Sequence, residues 1–189
     1  MKLTLTKQEA IKELQKKYPN YEIEITERIA DVGKTNEYLK LLKSDIQLSK
    51  TTGNKTIYEA KNIFASYIDE GFKDWYLDNK QSATKETTIQ VYEMAKNANY
   101  SQMFGSLNDD LDSLCLTQNQ IINFCEKHLE YLKKDSDATF FLFKENGEYF
   151  VARVYVNSDG LSVRVHRFED DYVWDAEYAL RVVGPQLGA

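Results

Sequence analysis

The stretch ATFFLFKENGEYFVARVYVNSDGLSVRVHR, residues 138–167, decides how this chain is read. Asn146-Gly147 is the strongest short hairpin signal available, because both residues tolerate the positive φ of a type I′ turn. Centred there, the hairpin pairs Phe143 with Phe150, Phe141 with Ala152 and Thr139 with Val154. Asp159-Gly160 turns the chain a second time. Side chains alternate along a strand, so parity assigns each residue to a face. Val154, Val156, Leu161, Val163 and Val165 share one face, the expected core. The opposite face collects Phe140, Leu142, Tyr149, Val151, Arg153, Tyr155, Arg164, His166 and Phe168.

Upstream, Thr117-Gln118-Asn119-Gln120 has the form of a capping box. The helix behind it carries Ile121, Ile122, Phe124, Cys125, His128, Leu129 and Leu132, a natural cover for the core face. Earlier segments are read mostly as helices. Thr6 and Glu9 frame a capping box, and Tyr21–Thr26 alternates as a strand with one wet face. Residues 36–48 place Leu39, Leu42 and Ile46 on a helical stripe. Thr56 and Glu59 open a second helix, with Ala60, Ile63, Phe64, Tyr67, Ile68, Phe72 and Trp75 on one face. Thr87–Met94 mixes β-branched residues with a helix-opening Thr84-Lys85-Glu86 and is taken as helix. Residues 101–114 read as short helical turns, and Asp78–Thr84 as a short polar linker.

The expected architecture is therefore α+β: a mostly helical N-terminal half, then a C-terminal helix packed on a three- to four-stranded antiparallel β-meander. The expected organisation is an N-terminal region over residues 1–80 and a C-terminal domain over residues 84–189.

Composition narrows the function classes. The chain has 189 residues with 24 basic against 30 acidic side chains, a net charge of −6. That excludes a basic nucleic-acid coat and is too mild for an acidic mimic of DNA. Only 2 prolines and 8 glycines exclude collagen and low-complexity disorder. No apolar run is long enough to span a membrane, and the N-terminus turns polar at once, so a cytoplasmic location is expected. The charge is uneven. Residues 1–100 carry 16 basic and 15 acidic side chains, while residues 101–189 carry 8 and 15. Four of the 5 arginines (Arg153, Arg164, Arg167 and Arg181) nevertheless lie in the acidic half.

The aromatic and arginine-rich second face of the meander is the leading candidate site. A fully solvated face would not carry so many aromatics, so the protein itself covers it or a partner does. The C-terminal segment Tyr172–Val183 and the N-terminal half are the internal candidates. Internal packing would pair the arginines with Glu169, Asp170, Asp171 or Asp175. A recognition surface would instead use Tyr149, Arg153, Tyr155, Arg164 and His166 as hot-spot residues, since Tyr and Arg bury large area and still hydrogen-bond. A protein is the expected partner. A single-stranded nucleic acid stacked on the same face is the alternative, disfavoured by the acidic surroundings.

Catalytic chemistry has less to stand on. Cys125 and His128 lie at i and i+3, which allows a thiolate–imidazole pair or a metal site with Cys115 and Asp112, but their shared face is also the apolar one. A hydrolase or metal-dependent enzyme would need His128 or His166, the only histidines. Nucleophile-elbow, Walker and dinucleotide-binding glycine patterns are absent. The clusters Asp109-Asp110-Asp112 and Glu169-Asp170-Asp171 fit solvated turns better than a cation site. No catalytic residue, metal or cofactor is assigned, and the oligomeric state is left open.

Leu116–Ile121 with Phe124 and His128, Thr139–Lys144, Tyr149–Ala152, and the ending Asp171–Trp174 to Arg181-Val182-Val183 and Pro185-Gln186-Leu187 resemble an uncharacterised family of small hypothetical proteins from uncultivated bacteria. The resemblance covers roughly residues 84–189 and brings no activity with it. It implies that these residues form a unit found with different N-terminal partners. Gly184 stands where a further apolar residue is expected before Pro185.

Overall fold

Asn146 and Gly147 take φ values of 51° and 83°, the paired positive values that a type I′ hairpin requires. They join β4 (Ala138–Glu145) to β5 (Glu148–Asn157), and Phe143↔Phe150, Phe141↔Ala152 and Thr139↔Val154 are all in register, as the sequence predicts. Ser158-Asp159 then turns β5 into β6 (Gly160–Arg167), with Asn157 opposite Gly160. The computed structural model describes residues 36–134 and 137–187, together with Lys12 and Lys16. The Thr6–Glu9 capping box and the Tyr21–Thr26 strand lie outside the described residues.

The meander is only the centre of a larger sheet. Seven strands pair in the order β1-β3-β7-β4-β5-β6-β2, where β1 is Leu39–Leu48, β2 Tyr67–Ile68, β3 Thr87–Met94 and β7 Arg181–Pro185. Two pairings, β4–β7 and β2–β6, are parallel, so the sheet is mixed. Among the described residues three α-helices accompany it: α1 (Gly71–Asp74), α2 (Tyr100–Gly105) and α3 (Gln118–Lys127).

This overturns the expected helical N-terminal half and the meander of three to four strands; the described chain is mostly β. Residues 39–48 form an edge strand against β3. Its alternation is broken by register shifts after Leu41 and Lys43 and by Asp45 at φ 62°, which spaces its apolar residues like a helix. Thr87–Met94 is a strand between β1 and β7, where its β-branched residues bury Ile89 and Val91. Over residues 56–75 there is no long helix. Thr56 Oγ1 accepts from Glu59 N at 3.4 Å, but the chain then runs through separate turns into β2 and one turn of α1. Residues 36–188 form one unit of the chain. Asp78–Thr84 sits inside it, and strands from both sides of this segment join the same sheet.

Both faces of the sheet are covered. On the first, Ile121, Ile122, Phe124 and Cys125 of α3 pack with Phe141, Phe143, Phe150, Val154, Val163 and Val165, as parity predicts. Irregular chain adds Ile57, Phe64, Phe72 and Leu77 to this layer. On the second, Tyr100, Met103 and Phe104 of α2 pack with Leu114, Phe140, Leu142, Val151 and Val182. Burial on both sides explains why β4 reads as a continuous apolar run, Ala138 to Phe143 all being buried. Each fully buried Phe there contributes about 1.5–3 kcal/mol.

Gln118 ties the layers together. Its wholly buried side chain accepts from Ile57 N at 2.9 Å and donates to Leu77 O, while its backbone N–H donates to Gln81 Oε1 at 2.8 Å. Among the described residues no helix is long and apolar enough to cross a membrane.

Candidate functional site

The connection from β6 to β7 crosses the second face, because β7 must return parallel to β4. That crossing carries Trp174 onto the sheet. Trp174 N donates to Ala98 O at 2.9 Å, and Ala98 N to Trp174 O at 3.2 Å, fixing the loop to the segment before α2. The indole packs 5.1 Å from Phe140 and 5.7 Å from Tyr100, centroid to centroid. Tyr100 is positioned by a capping box in which Asn99 and Gln102 satisfy each other's backbone amides.

Arg153 lies against this aromatic wall. Its guanidinium is 4.1 Å from the Trp174 ring and 5.2 Å from the Tyr155 ring, within cation–π range. One Nη donates to Tyr155 Oη; the other stands 2.7 Å from His166 Nε2. Arginine has no acceptor, so Nε2 must accept, and the imidazole is neutral with its proton on Nδ1. Nδ1–H then faces Asp170 Oδ2 at 3.3 Å. A chain Asp170–His166–Arg153–Tyr155 results. Burial and the neighbouring Arg153 lower the His166 pKa, with Asp170 opposing them. The Asp170 carboxyl is lowered in turn, first by the Tyr172 amide and then by His166. Burial raises the Tyr155 phenol.

Arg164 stands directly opposite Arg153 across β5 and β6. Its exposed guanidinium lies 5.8 Å from the ring of Tyr67, which β2 brings to the same edge. Among the described residues, neither arginine meets a carboxylate. Asp170 is turned to His166, and Arg167 pairs with Glu148 at 2.8 Å. The expected internal pairing of Arg153 and Arg164 with the acidic loop is therefore not what the structure shows. Tyr100 Oη, Trp174 Nε1 and Arg153 Nε are buried without a hydrogen-bond partner.

Of the five candidate surface residues, Arg153 contacts both Tyr155 and His166, and Arg164 stands opposite it across the strand pair. Tyr149 belongs elsewhere: its phenol donates to Asp112 Oδ1 at 2.8 Å, and Lys144 pairs with the same oxygen at 2.7 Å. Tyr67 and Tyr100 were not legible as site residues. Tyr67 lies in a two-residue strand too short for parity, although the box Asn99-Tyr100-Ser101-Gln102 could have announced α2.

The residues named for catalysis have other partners in this structure. His166 Nε2, the atom that would take a proton from a nucleophile, is occupied by Arg153. His128 faces Gln47 O at 3.3 Å and Glu130 at 3.9 Å. Burial raises the Cys125 thiol and pushes Cys115 up to about 12, the reverse of an activated thiolate. Among the described residues no group of three His, Cys, Asp or Glu side chains is placed to hold a metal. A concavity of about 700 Å³, open to solvent, lies on the opposite face between Ile63, Cys125, Leu129, Val156 and Leu161.

Comparison with known protein families, curated proteins and solved structures finds no match.

Proposed function

We propose that this chain works by binding another protein through the sheet face bearing Arg153, Tyr155, Arg164 and His166. The observation that carries the reading is the state of the two arginines. Both rest on aromatic rings instead of carboxylates, in a half of the chain where acidic side chains outnumber basic ones by 15 to 8. Around them Tyr67 is 46% exposed and Tyr172 58% exposed, while Tyr155 is half-buried. Arg and Tyr in such a setting are the residue types that dominate interface energies. His166 and Trp174 hold Arg153 in place before any partner arrives, which lowers the ordering cost of association.

The test is capture from extract of the source cells with the immobilised chain, compared with Arg164→Ala and Tyr155→Ala. Proteins retained by the wild type and lost by both variants, at melting temperatures within a few degrees of each other, are the expected result. Identical retention by all three chains would remove the face from the function.

A further inference from the structure

We infer that this face accepts a protein segment presenting a single carboxylate, an Asp or Glu side chain beside an apolar or aromatic residue; the inference rests on the reading of the face as a protein-binding surface. Its starting point is the register. Arg153 and Arg164 are Cα partners in an antiparallel pair, an arrangement in which like charges destabilise the sheet. A folded chain ordinarily relieves such a pair with a carboxylate of its own. This one has a carboxylate close by and places it elsewhere: Asp170 bonds to His166.

The donors fit the occupant. Arg153 uses two of its five N–H groups, on His166 and Tyr155; its Nε–H is buried without an acceptor, which leaves the two remaining Nη–H groups for an occupant. Arg164 meets no acceptor among the described residues with any of its own. A carboxylate is the planar acceptor that matches a guanidinium fork. His166 is neutral, so it adds no third positive charge, and its hydrogen bond keeps the Arg153 guanidinium oriented; the Asp170 carboxylate behind it offsets part of the charge of Arg153, and Arg164 keeps its own. The rings of Tyr67, Tyr155 and Tyr172 supply apolar surface for the residue beside the carboxylate.

Charge at the rim limits the occupant's length. Glu169 and Asp171 are exposed on the loop next to the patch. They repel a continuous polyanion such as a phosphate backbone, whose binding requires several cations in a row. One localised negative charge between the arginines avoids them.

The test uses the capped tripeptide acetyl-Tyr-Glu-Leu-amide and its Gln counterpart, titrated into the full chain at millimolar concentration. Backbone amides of Arg153, Tyr155 and Arg164 and both arginine Nε–H signals are followed by NMR. The expected result is saturable shifts with the Glu peptide and about tenfold weaker binding of the Gln peptide, the scale of a hydrogen bond to a charged group. Arg164→Gln should bring the two peptides to equal affinity, and Tyr155→Ala should weaken both. Equal affinities in the wild type, lost together in Tyr155→Ala, would overturn the carboxylate preference and leave the binding face standing. No shift with either peptide overturns the inference alone if extract capture still depends on Arg164 and Tyr155, and overturns the face as well if it does not. Salt-sensitive binding of single-stranded oligothymidylate with no response to the peptides would replace both with a nucleic-acid site.

Discussion

Arg153 Nη1 and His166 Nε2 are 2.7 Å apart, and this single contact requires a neutral imidazole. Protonating His166 would set a second cation against the guanidinium, and the half-buried site screens such a pair poorly.

The contact makes the stability of the fold depend on pH. The folded-state pKa of His166 lies below its ordinary value of 6.5, mainly through burial and then through Arg153, against the opposing charges of Asp170 and Asp69. The unfolded chain therefore binds more protons in the window just below that value, and stability rises with pH across it. His166 contributes fully above pH 6.5, and its contribution is lost as pH falls through the lowered folded value. Thermal melts between neutral and mildly acid pH should show the wild type losing more stability than His166→Gln, which keeps an acceptor but cannot titrate there. Equal pH slopes in the two chains would contradict the assignment.

Gly53 and Gly147 provide a matched pair. Both hold positive φ, 74° and 83°, so an alanine at either incurs about 1–2 kcal/mol of left-handed strain. They differ in surroundings. A Cβ on Gly53 would run into the backbone of Gln81 and Ser82, where Gly53 O accepts from Gln81 N at 3.0 Å; a Cβ on Gly147 meets nothing within 4 Å. Gly53→Ala should therefore be the more destabilising by roughly a further 1–3 kcal/mol of overpacking. Chemical denaturation of the two variants checks the order.

Removing Gln118 should be costly despite its polarity. Gln118→Ala leaves Ile57 N and Leu77 O without their side-chain partner in a fully buried position. Two unsatisfied backbone groups imply about 2–4 kcal/mol of lost stability. The melting temperature should fall by roughly 5–15 °C in a chain of this size. A change within a degree or two would mean that the contacts of Gln118 carry no net stability.

What the sequence revealed depended on whether neighbours in space were neighbours in sequence. The β4–β5–β6 register and α3 were legible because Asn146-Gly147 and the Thr117–Gln120 capping box are local devices with one outcome. Leu39–Leu48 and Thr87–Met94 were misread because their strand identity comes from pairing with each other and with β7, far along the chain. Phe64 and Phe72 were correctly expected in the core, yet separate turns deliver them there, not one helix. At the candidate site, parity alone placed Arg153, Tyr155, Arg164 and His166 on one face. It could not show that Trp174 would cross that face, nor that Asp170 would bond to His166 and leave the arginines without a carboxylate.

The two thiols separate a structural from a nucleophilic role. Cys125 is buried under α3 against the first face, where burial raises its pKa. Cys115 is half-buried; its thiol donates to Leu111 O at 3.3 Å and its pKa is pushed up to about 12 by burial and then by Asp112. A thiol reacts as its thiolate, and burial disfavours that form at both residues. Under native conditions a disulfide-exchange reagent should label neither at the rate of a free cysteine, with Cys115 the faster because it is less buried. In denaturant both should react at once. Cys125→Ala should leave partner binding unchanged while lowering stability modestly, since the thiol acts as a small apolar group in that layer. Rapid native labelling of Cys125, faster than that of Cys115, would restore it as a nucleophile beside His128 and would move attention from the arginine face to the opposite side of the sheet.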